Sequence, residues 1–283
     1  MNFRIRLLTT VSVLALVGAS GTAFAADPYA MSVLSDPSRM PAVSATNGKL
    51  GAFAGSLAGA SAYGVNGSLA LPLHDQYGAQ VDGLLGTAHG GLFYGVGGHL
   101  FWRDPAVGLL GAYASYVSWD LATTSAGTTV ETVFDIAGGS VGKVGVEGEA
   151  YLGQVSLEGL AGYQFGTNTG LTGTATVALY PTDDLRLDLG VRYLQGPGAS
   201  IFAGAEWQPS GTHMSLFADA SVGADSQWSA LGGVKVYFGG EQKSLIRRHR
   251  EDDPDSLLPG DLYSVMGDER CIEPGGNIDD GCF

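Results

Sequence analysis

The chain has 283 residues, of which 45% are hydrophobic and only 15% are charged, and its formal net charge is −14 at pH 7. A phosphate-binding surface needs clustered Lys and Arg, so this acidic balance argues against nucleic acid as a partner. Glycine is abundant, with 45 residues, but it shows neither a collagen repeat nor the low hydrophobicity of a disordered chain. The composition suits a folded chain that is apolar at about half of its positions.

The first 25 residues have the pattern of a secretory signal peptide. Arg4 and Arg6 precede an apolar run over 7–17, and Ala23-Phe24-Ala25 forms an Ala-x-Ala cleavage site. The apolar run is well short of the roughly 20 residues that a membrane helix needs, and no later segment is apolar for long enough. We predict cleavage after Ala25, which removes two arginines and leaves a net charge near −16. Any membrane association must then rest on strands.

Three regions follow the signal peptide along the chain. Residues 26–47 contain three Xaa-Pro steps, which interrupt regular structure, so we predict an exposed periplasmic leader. Residues 48–238 alternate between strand and turn patterns, which predicts one all-β domain. From residue 239 the alternation stops, and we predict an acidic periplasmic tail over 239–283.

The central region alternates strictly between apolar and polar residues in many places. In 185–193 the odd positions are Leu, Val or Tyr, whereas the even positions include Arg186, Asp188 and Arg192. We count about twelve such segments, and many have about 10 residues, the length that a tilted strand needs to cross a bilayer. The segments lie near 48–58, 63–72, 77–89, 92–103, 106–119, 140–152, 154–166, 171–180, 184–194, 199–208, 212–222 and 227–238.

A soluble β-sandwich or lipocalin-like barrel also alternates, so alternation alone does not establish a membrane protein. Aromatic residues lie at or near segment ends, where a membrane interface favours them: Trp102, Trp119, Tyr193, Trp207, Trp228 and Phe238. Three proline-containing turns fall on alternate connections, which places them on one side of a barrel: 103–105, 180–184 and 208–211. The longest connection, about 120–139, falls on the opposite side, as an extracellular loop should.

The final part of the last predicted strand, residues 231–238, resembles the closing strand by which outer-membrane β-barrels are recognised for insertion. It has a glycine followed by hydrophobic residues at i+3 and i+5 and ends in Phe238. The turn Tyr180-Pro181-Thr182-Asp183-Asp184 looks like the tight periplasmic turn of small porin-like and OmpA-like barrels. This superfamily-level resemblance covers roughly 190 residues and the signal peptide. It implies an antiparallel transmembrane β-barrel of about 12 strands in the cell outer membrane of a Gram-negative bacterium. The implied partners are outer-membrane lipid and the barrel-assembly machinery, which would bind 231–238.

If the apolar faces meet lipid, the other faces enclose a lumen of mixed charge. Six basic and seven acidic groups would point into it: Lys49, Arg103, Lys143, Arg186, Arg192 and Lys235, with Asp82, Glu147, Glu149, Glu158, Asp188, Glu206 and Asp219. A selective pore usually has one dominant sign at its constriction, whereas mixed charges tend to pair and restrict the opening. We therefore predict a porin-like or structural membrane protein with a narrow, charge-paired lumen. We predict no enzyme activity and no cofactor. We also predict no metal site, since the histidines lack the spacing of metal ligands.

One motif carries an alternative from another functional class. His213-Met214-Ser215 places a His and a Ser on one face of a strand, which resembles outer-membrane phospholipases and lipid A deacylases. The resemblance implies a barrel-embedded lipid hydrolase with catalytic His213 and Ser215. In those families the pair faces lipid and an Asn or Glu orients the His. Here the register predicts an inward pair, and Gln227 stands near the orienting position. A soluble periplasmic β-protein is a third hypothesis.

The predicted tail contains both cysteines of the chain. Cys271 and Cys282 are close in sequence, and in an oxidising periplasm we predict one disulfide rather than a metal site. We expect a tail that is passive or binds a periplasmic partner, although it contains a small apolar set over 257–266.

The glycines over 95–98 lack the strand–turn–helix context of a nucleotide site. Glycines inside strands more often bend the sheet or let a side chain from across the lumen approach closely.

Overall fold

The structure is a computed structural model that describes residues 40–88, 90–120, 139–223, 228–265, 271–272 and 278–279. The predicted signal peptide and most of the predicted leader lie outside the described residues. Of the helices that are described, none combines the length and apolar character that a membrane-spanning helix needs.

Twelve antiparallel strands form one closed barrel, in which each strand pairs with its neighbours in sequence and the twelfth pairs with the first. The strands are β1 (Asn47–Leu57), β2 (Ala60–His74), β3 (Tyr77–Ala88), β4 (Gly91–Asp104), β5 (Gly108–Trp119), β6 (Gly139–Leu152), β7 (Val155–Gly166), β8 (Gly170–Thr182), β9 (Leu185–Leu194), β10 (Gly198–Trp207), β11 (Met214–Gly223) and β12 (Trp228–Phe238). The predicted fold class is confirmed. Closure runs from Gly48 paired with Phe238 to Ser56 paired with Ala230, so the barrel has no unpaired edge.

The two ends of the barrel have different connections. The end at which β1 begins and β12 ends, here called the near end, has the short connections 75–76, 105–107, 153–154, 183–184 and 208–213. All three proline-containing turns of the sequence analysis lie at this end. The long connection after β5 runs toward the opposite, far end, and its residues 121–138 lie outside the described residues.

The apolar face of each strand points outward. Along β9, Leu187, Leu189 and Val191 expose 41%, 60% and 55% of their surface, whereas Arg186, directly before Leu187, is 5% exposed. A water-soluble barrel would place the leucines inside, because apolar surface is stable only away from water. The predicted strand register is confirmed, and the barrel presents an apolar exterior suited to lipid.

Trp119 is an exception among the predicted interface aromatics. Its side chain is 1% exposed and lies inside the barrel, where its ring packs at 6.0 Å from the ring of Phe93. The reason is the register of β5, whose odd-numbered residues Tyr113, Val117 and Trp119 all point inward. The outward aromatics Tyr193, Trp207, Trp228 and Phe238 remain exposed, as an interface position requires.

The end of the predicted leader packs onto the barrel. Ala42 and Val43 are fully buried in a cluster with Phe101 and Leu109. The backbone N–H of Ala42 donates to the carbonyl oxygen of Asp75 at 2.7 Å. Residues 42–43 therefore fill part of the near end from inside.

The outward register predicts the effect of a charge on β9. Replacing Leu189→Arg should lower the free energy of unfolding by roughly 2–4 kcal/mol in lipid, because the guanidinium would enter the middle of the hydrocarbon layer. The matched variant Tyr193→Arg, near the end of β9, should cost at most about 1 kcal/mol. Urea unfolding of the protein in lipid vesicles measures both, and equal costs at the two positions would contradict a membrane-spanning β9.

Candidate functional site

The predicted lumen charges lie on the inner faces of the strands. Most are buried or half-buried, whereas Asp219 is exposed to the interior space on the β11 side. Many pair within the wall. The His99 ring lies between two carboxylates, with Nε2 at 2.9 Å from Asp82 Oδ2 and Nδ1 at 2.8 Å from Glu147 Oε2. The Tyr151 hydroxyl donates to Glu149 Oε2 at 2.7 Å.

The lumen is filled by the chain's own C-terminal segment, residues 239–265, which the sequence analysis assigns to a separate periplasmic tail. Two short helices, α1 (Leu245–Glu251) and α2 (Leu258–Asp261), and a 3-10 turn (Leu262–Val265) form this segment. It enters at the near end directly after β12 and reaches the inner faces of β3 to β6. The segment is inside the barrel because its carboxylates and leucines find partners on the inner wall.

Helix α1 closes the near end. The Arg248 guanidinium is 1% exposed, donates from Nε to Gln208 Oε1 at 2.9 Å and stacks over the ring of Tyr237 at 4.7 Å. Lys243 Nζ pairs with Asp252 Oδ1 at 2.6 Å and with Ser44 Oγ at 2.7 Å. These contacts join the segment to both the wall and the leader.

Beyond α1, three aspartates of the segment pair with three cations of the wall. Asp253 forms a salt bridge with Lys49, Asp255 with Arg186, and Asp261 with Lys143. Asp261 also accepts hydrogen bonds from the hydroxyls of Tyr113 at 2.7 Å and Ser115 at 2.6 Å.

The far half of the segment is held by apolar contacts. Leu258 and Leu262 are 0% and 3% exposed and join a cluster with inward aromatics, Phe53, Phe93 and Trp119 among them. Burying each leucine contributes roughly 1.5–3 kcal/mol. A Cβ on Gly97 would lie 3.4 Å from Leu258 Cγ, and one on Gly95 would lie 3.4 Å from Leu258 Cδ2. These two glycines of β4 leave the space that Leu258 occupies.

Burial and neighbouring charges keep Asp255 ionised and His249 neutral in the docked segment. Burial by itself would raise the pKa of the Asp255 carboxyl, but the charges of Arg186 and Lys49 outweigh burial and hold this pKa well below its ordinary value. Burial lowers the pKa of His249 to about 4, against the attraction of Asp255 and Glu206. His249 Nδ1 lies 2.8 Å from the Tyr180 hydroxyl.

Little room remains around these groups. A polar cavity beside Asp255, lined by Glu149, Glu158, Arg186 and His249 among others, has space for about one water molecule. Within the described ranges, no group of three or more His, Cys, Asp or Glu side chains is placed to hold a metal ion.

The two residues of the hydrolase hypothesis have different partners. Ser215 is fully buried, and its hydroxyl donates to Glu206 Oε1 at 2.5 Å. His213 precedes β11 and places Nδ1 at 3.2 Å from Arg248 Nη2. Glu206 also binds Lys235 and the Tyr237 hydroxyl, so Ser215 belongs to a hydrogen-bond network of the wall. The Gln227 side chain and Cys282 lie outside the described residues, and the disulfide between Cys271 and Cys282 stays a prediction.

A closed twelve-stranded barrel with an apolar exterior and a polar inner wall is the structure of an outer-membrane β-barrel. Among solved structures, the fold is similar to a KdgM porin, determined alone and in complex with disordered oligogalacturonate. The alignment covers 68% of this chain and 99% of that one, at 10% identity and a TM-score of 0.50. The outer membrane phospholipase A from Escherichia coli aligns over 69% of this chain and 92% of its own, at 14% identity and a TM-score of 0.44. Identities this low describe the fold alone.

No protein-family profile and no curated protein sequence matches the chain. The fold, a closed antiparallel barrel with an apolar exterior, is the one that outer-membrane barrels share. The course of the C-terminal segment was missed by the sequence analysis. A signal for it existed, because the inner faces carry Phe53, Phe93 and Trp119, and apolar residues in a lumen need a cover. The apolar residues of the acidic tail, Leu258 and Leu262 among them, are the ones that cover these aromatics.

Proposed function

We propose that this protein is a porin-like channel whose lumen is closed by its own C-terminal segment. The observation that carries the proposal is the position of Asp261 and Leu258. Asp261 pairs with Lys143 of β6, and Leu258 packs against inward aromatics of the wall. The segment obstructs the path of a solute, because α1 closes the near end and the polar cavity beside Asp255 has space for only about one water molecule.

Opening is feasible without unfolding the barrel. The strand ladder is complete without the segment, since β12 pairs directly with β1. Buried ion pairs give only a small net stabilisation, because the loss of hydration offsets most of their attraction. Several of the docking contacts are ion pairs, such as that of Asp261 with Lys143, so a change in charge or solute can shift the balance between the docked and undocked states.

A lipid hydrolase is not part of this proposal. A serine nucleophile needs a base within hydrogen-bond reach, and the Ser215 hydroxyl is bonded to Glu206 instead of His213. Ser215 also faces the lumen, whereas a lipid substrate would approach from the outside of the barrel.

The proposal is tested by fixing the segment to the wall. In a chain with both native cysteines replaced by Ser, Gly97→Cys and Leu258→Cys place two thiols within disulfide reach, since a Cβ on residue 97 would lie 3.4 Å from Leu258 Cγ. Asp261→Asn is added to weaken docking. In planar bilayers we expect frequent openings under reductant and a fall of about tenfold or more in open fraction under oxidant, because the disulfide holds the segment inside.

The matched control carries Gly97→Cys with Leu258 intact, and oxidant should leave its current unchanged. If the doubly substituted chain forms the disulfide and conducts equally well in both states, the segment does not close the channel. Gel mobility before and after heating confirms that every variant is a folded barrel.

A further inference from the structure

We propose that the inner wall carries a binding track for linear acidic oligomers, and that the C-terminal segment occupies this track as a substitute ligand. The cation track consists of Lys49, Lys143 and Arg186. This inference rests on the proposed channel function and names the class of solute that the channel would take. The ligand class is a chain with several carboxylates separated by uncharged polar groups.

The cations of the track depend on the segment for their charge partners. The side chains of Lys49 and Lys143 are 6% and 2% exposed, and among the described residues their salt bridges go to Asp253 and Asp261 of the segment. Lys235 of β12 differs, because its salt bridge goes to Glu206 of β10, which is a carboxylate of the wall itself. When the segment leaves, two lysines of the track lose the carboxylates that neutralise them.

Arg186 is the third cation and binds both wall and segment. Its guanidinium contacts Glu158 at 3.0 Å and Asp188 at 3.4 Å on the wall, and it pairs with Asp255 of the segment. Arg186 therefore binds a third carboxylate, that of Asp255 in the segment, although two carboxylates of the wall are already close to it. The same preference for an anionic occupant therefore recurs at three positions along the lumen.

The uncharged groups between the cations indicate the rest of the ligand. Gln80 Nε2 donates to the carbonyl oxygen of Pro254 at 3.0 Å, and this carbonyl lies between the two aspartates that pair with Lys49 and Arg186. At the far position, the Tyr113 and Ser115 hydroxyls donate to the carboxylate that Lys143 binds. A chain with alternating carboxylates and neutral acceptor oxygens satisfies all of these donors. Such oxygen-rich acidic chains reproduce what the segment presents.

The test compares two full-length variants that both lack the ion pairs. The tail-neutral variant carries Asp253→Asn and Asp261→Asn and keeps the wall lysines. The both-neutral variant adds Lys49→Gln and Lys143→Gln. Penta-aspartate is titrated into each detergent-solubilised protein by calorimetry, with penta-lysine as the probe of opposite charge.

We expect the tail-neutral variant to bind penta-aspartate at least about tenfold more tightly than the wild-type chain, because the competing carboxylates are gone. The both-neutral variant should lose this gain, and penta-lysine should bind none of the proteins. Equal affinity of the two variants for penta-aspartate would overturn the inference. If the tail-neutral barrel fails to assemble, Asp261→Asn and the pair Lys143→Gln with Asp261→Asn make the same comparison at one position.

Failure of this inference and failure of the proposed function are distinguishable. Calorimetry needs no current, and the disulfide experiment needs no ligand. A channel that opens under reductant but shows no difference between the two variants keeps the proposed function and loses the acidic ligand. If the disulfide between positions 97 and 258 forms and leaves the current unchanged, the proposed function is wrong, whatever the calorimetry gives.

Discussion

Replacing Asp261→Lys is expected to release the C-terminal segment from the lumen. The new ammonium would lie beside buried Lys143, which loses its carboxylate partner, and the hydroxyls of Tyr113 and Ser115 lose their acceptor. Breaking a buried ion pair in this way costs about 3–5 kcal/mol. Since about 1.4 kcal/mol is a factor of ten, the undocked population should rise by roughly a hundredfold or more.

The release is measured by the labelling rate of a cysteine at position 256. Ser256 has a buried hydroxyl, and Ser256→Cys in a chain without the native cysteines is a small change that a bulky maleimide reaches only after undocking. Glu241→Lys is the matched control, because it makes the same charge change at an exposed residue of the segment. Adding Lys143→Asp to Asp261→Lys should restore slow labelling. Fast labelling in the swapped pair would show that the ion pair does not hold the segment.

Lowering the pH from 7 to 4 is expected to open the channel, and His249 should provide a defined part of the response. The pKa of His249 is lowered to about 4 in the docked segment, whereas a free histidine titrates near 6.5. Between pH 6.5 and 4 the undocked state therefore binds more protons, and docking weakens as the pH falls through this window. The expected loss is roughly 3 kcal/mol from this fully buried group, and below about pH 4 its contribution stays constant.

The groups around His249 give the sign and the control. Asp255 and Glu206 raise its pKa, Arg186 and Lys235 lower it, and burial is the dominant effect. His249→Gln should therefore reduce the rise in open fraction between pH 6.5 and 4 by the share that this histidine provides, whereas His74→Gln, at an exposed position near the end of β2, should leave the rise unchanged. Asp255 responds only below its ordinary pKa of 3.8, outside this window. An unchanged pH response in His249→Gln would contradict the role of this histidine.

The barrel was predictable because its information is local. Strict alternation along 185–193 determines which side chains share a face, and turn residues such as Pro181 place the connections. Alternation alone does not say which face of a strand points outward. The signal peptide and the closing strand indicated a lipid environment, and in lipid the apolar face points outward. Only Trp119 was misplaced among the six interface aromatics, because an aromatic residue near a strand end can point to either side of the sheet.

The partners of the lumen charges were less predictable than their positions. The mixed charges along the strands predicted that basic and acidic groups of the wall neutralise one another. This is how Lys235 and Glu206 behave, but Lys49 and Lys143 take their carboxylates from residues about 200 and 120 positions later in the chain. Pairing over such separations depends on where a segment comes to lie, and alternation along a strand carries no information about that.

The twelve strands, with apolar residues facing outward and charged residues facing inward, follow from the order of the residues, because the face of each residue depends on its position in the alternation. The sequence also contains Leu258, Leu262 and the three aspartates that pair with the wall. That these residues lie inside the barrel is a property of the folded chain and is not encoded in any local pattern. The reason is that closing the sheet creates an interior with unpaired cations and exposed aromatics, and the C-terminal segment is the part of the chain that neutralises and covers both.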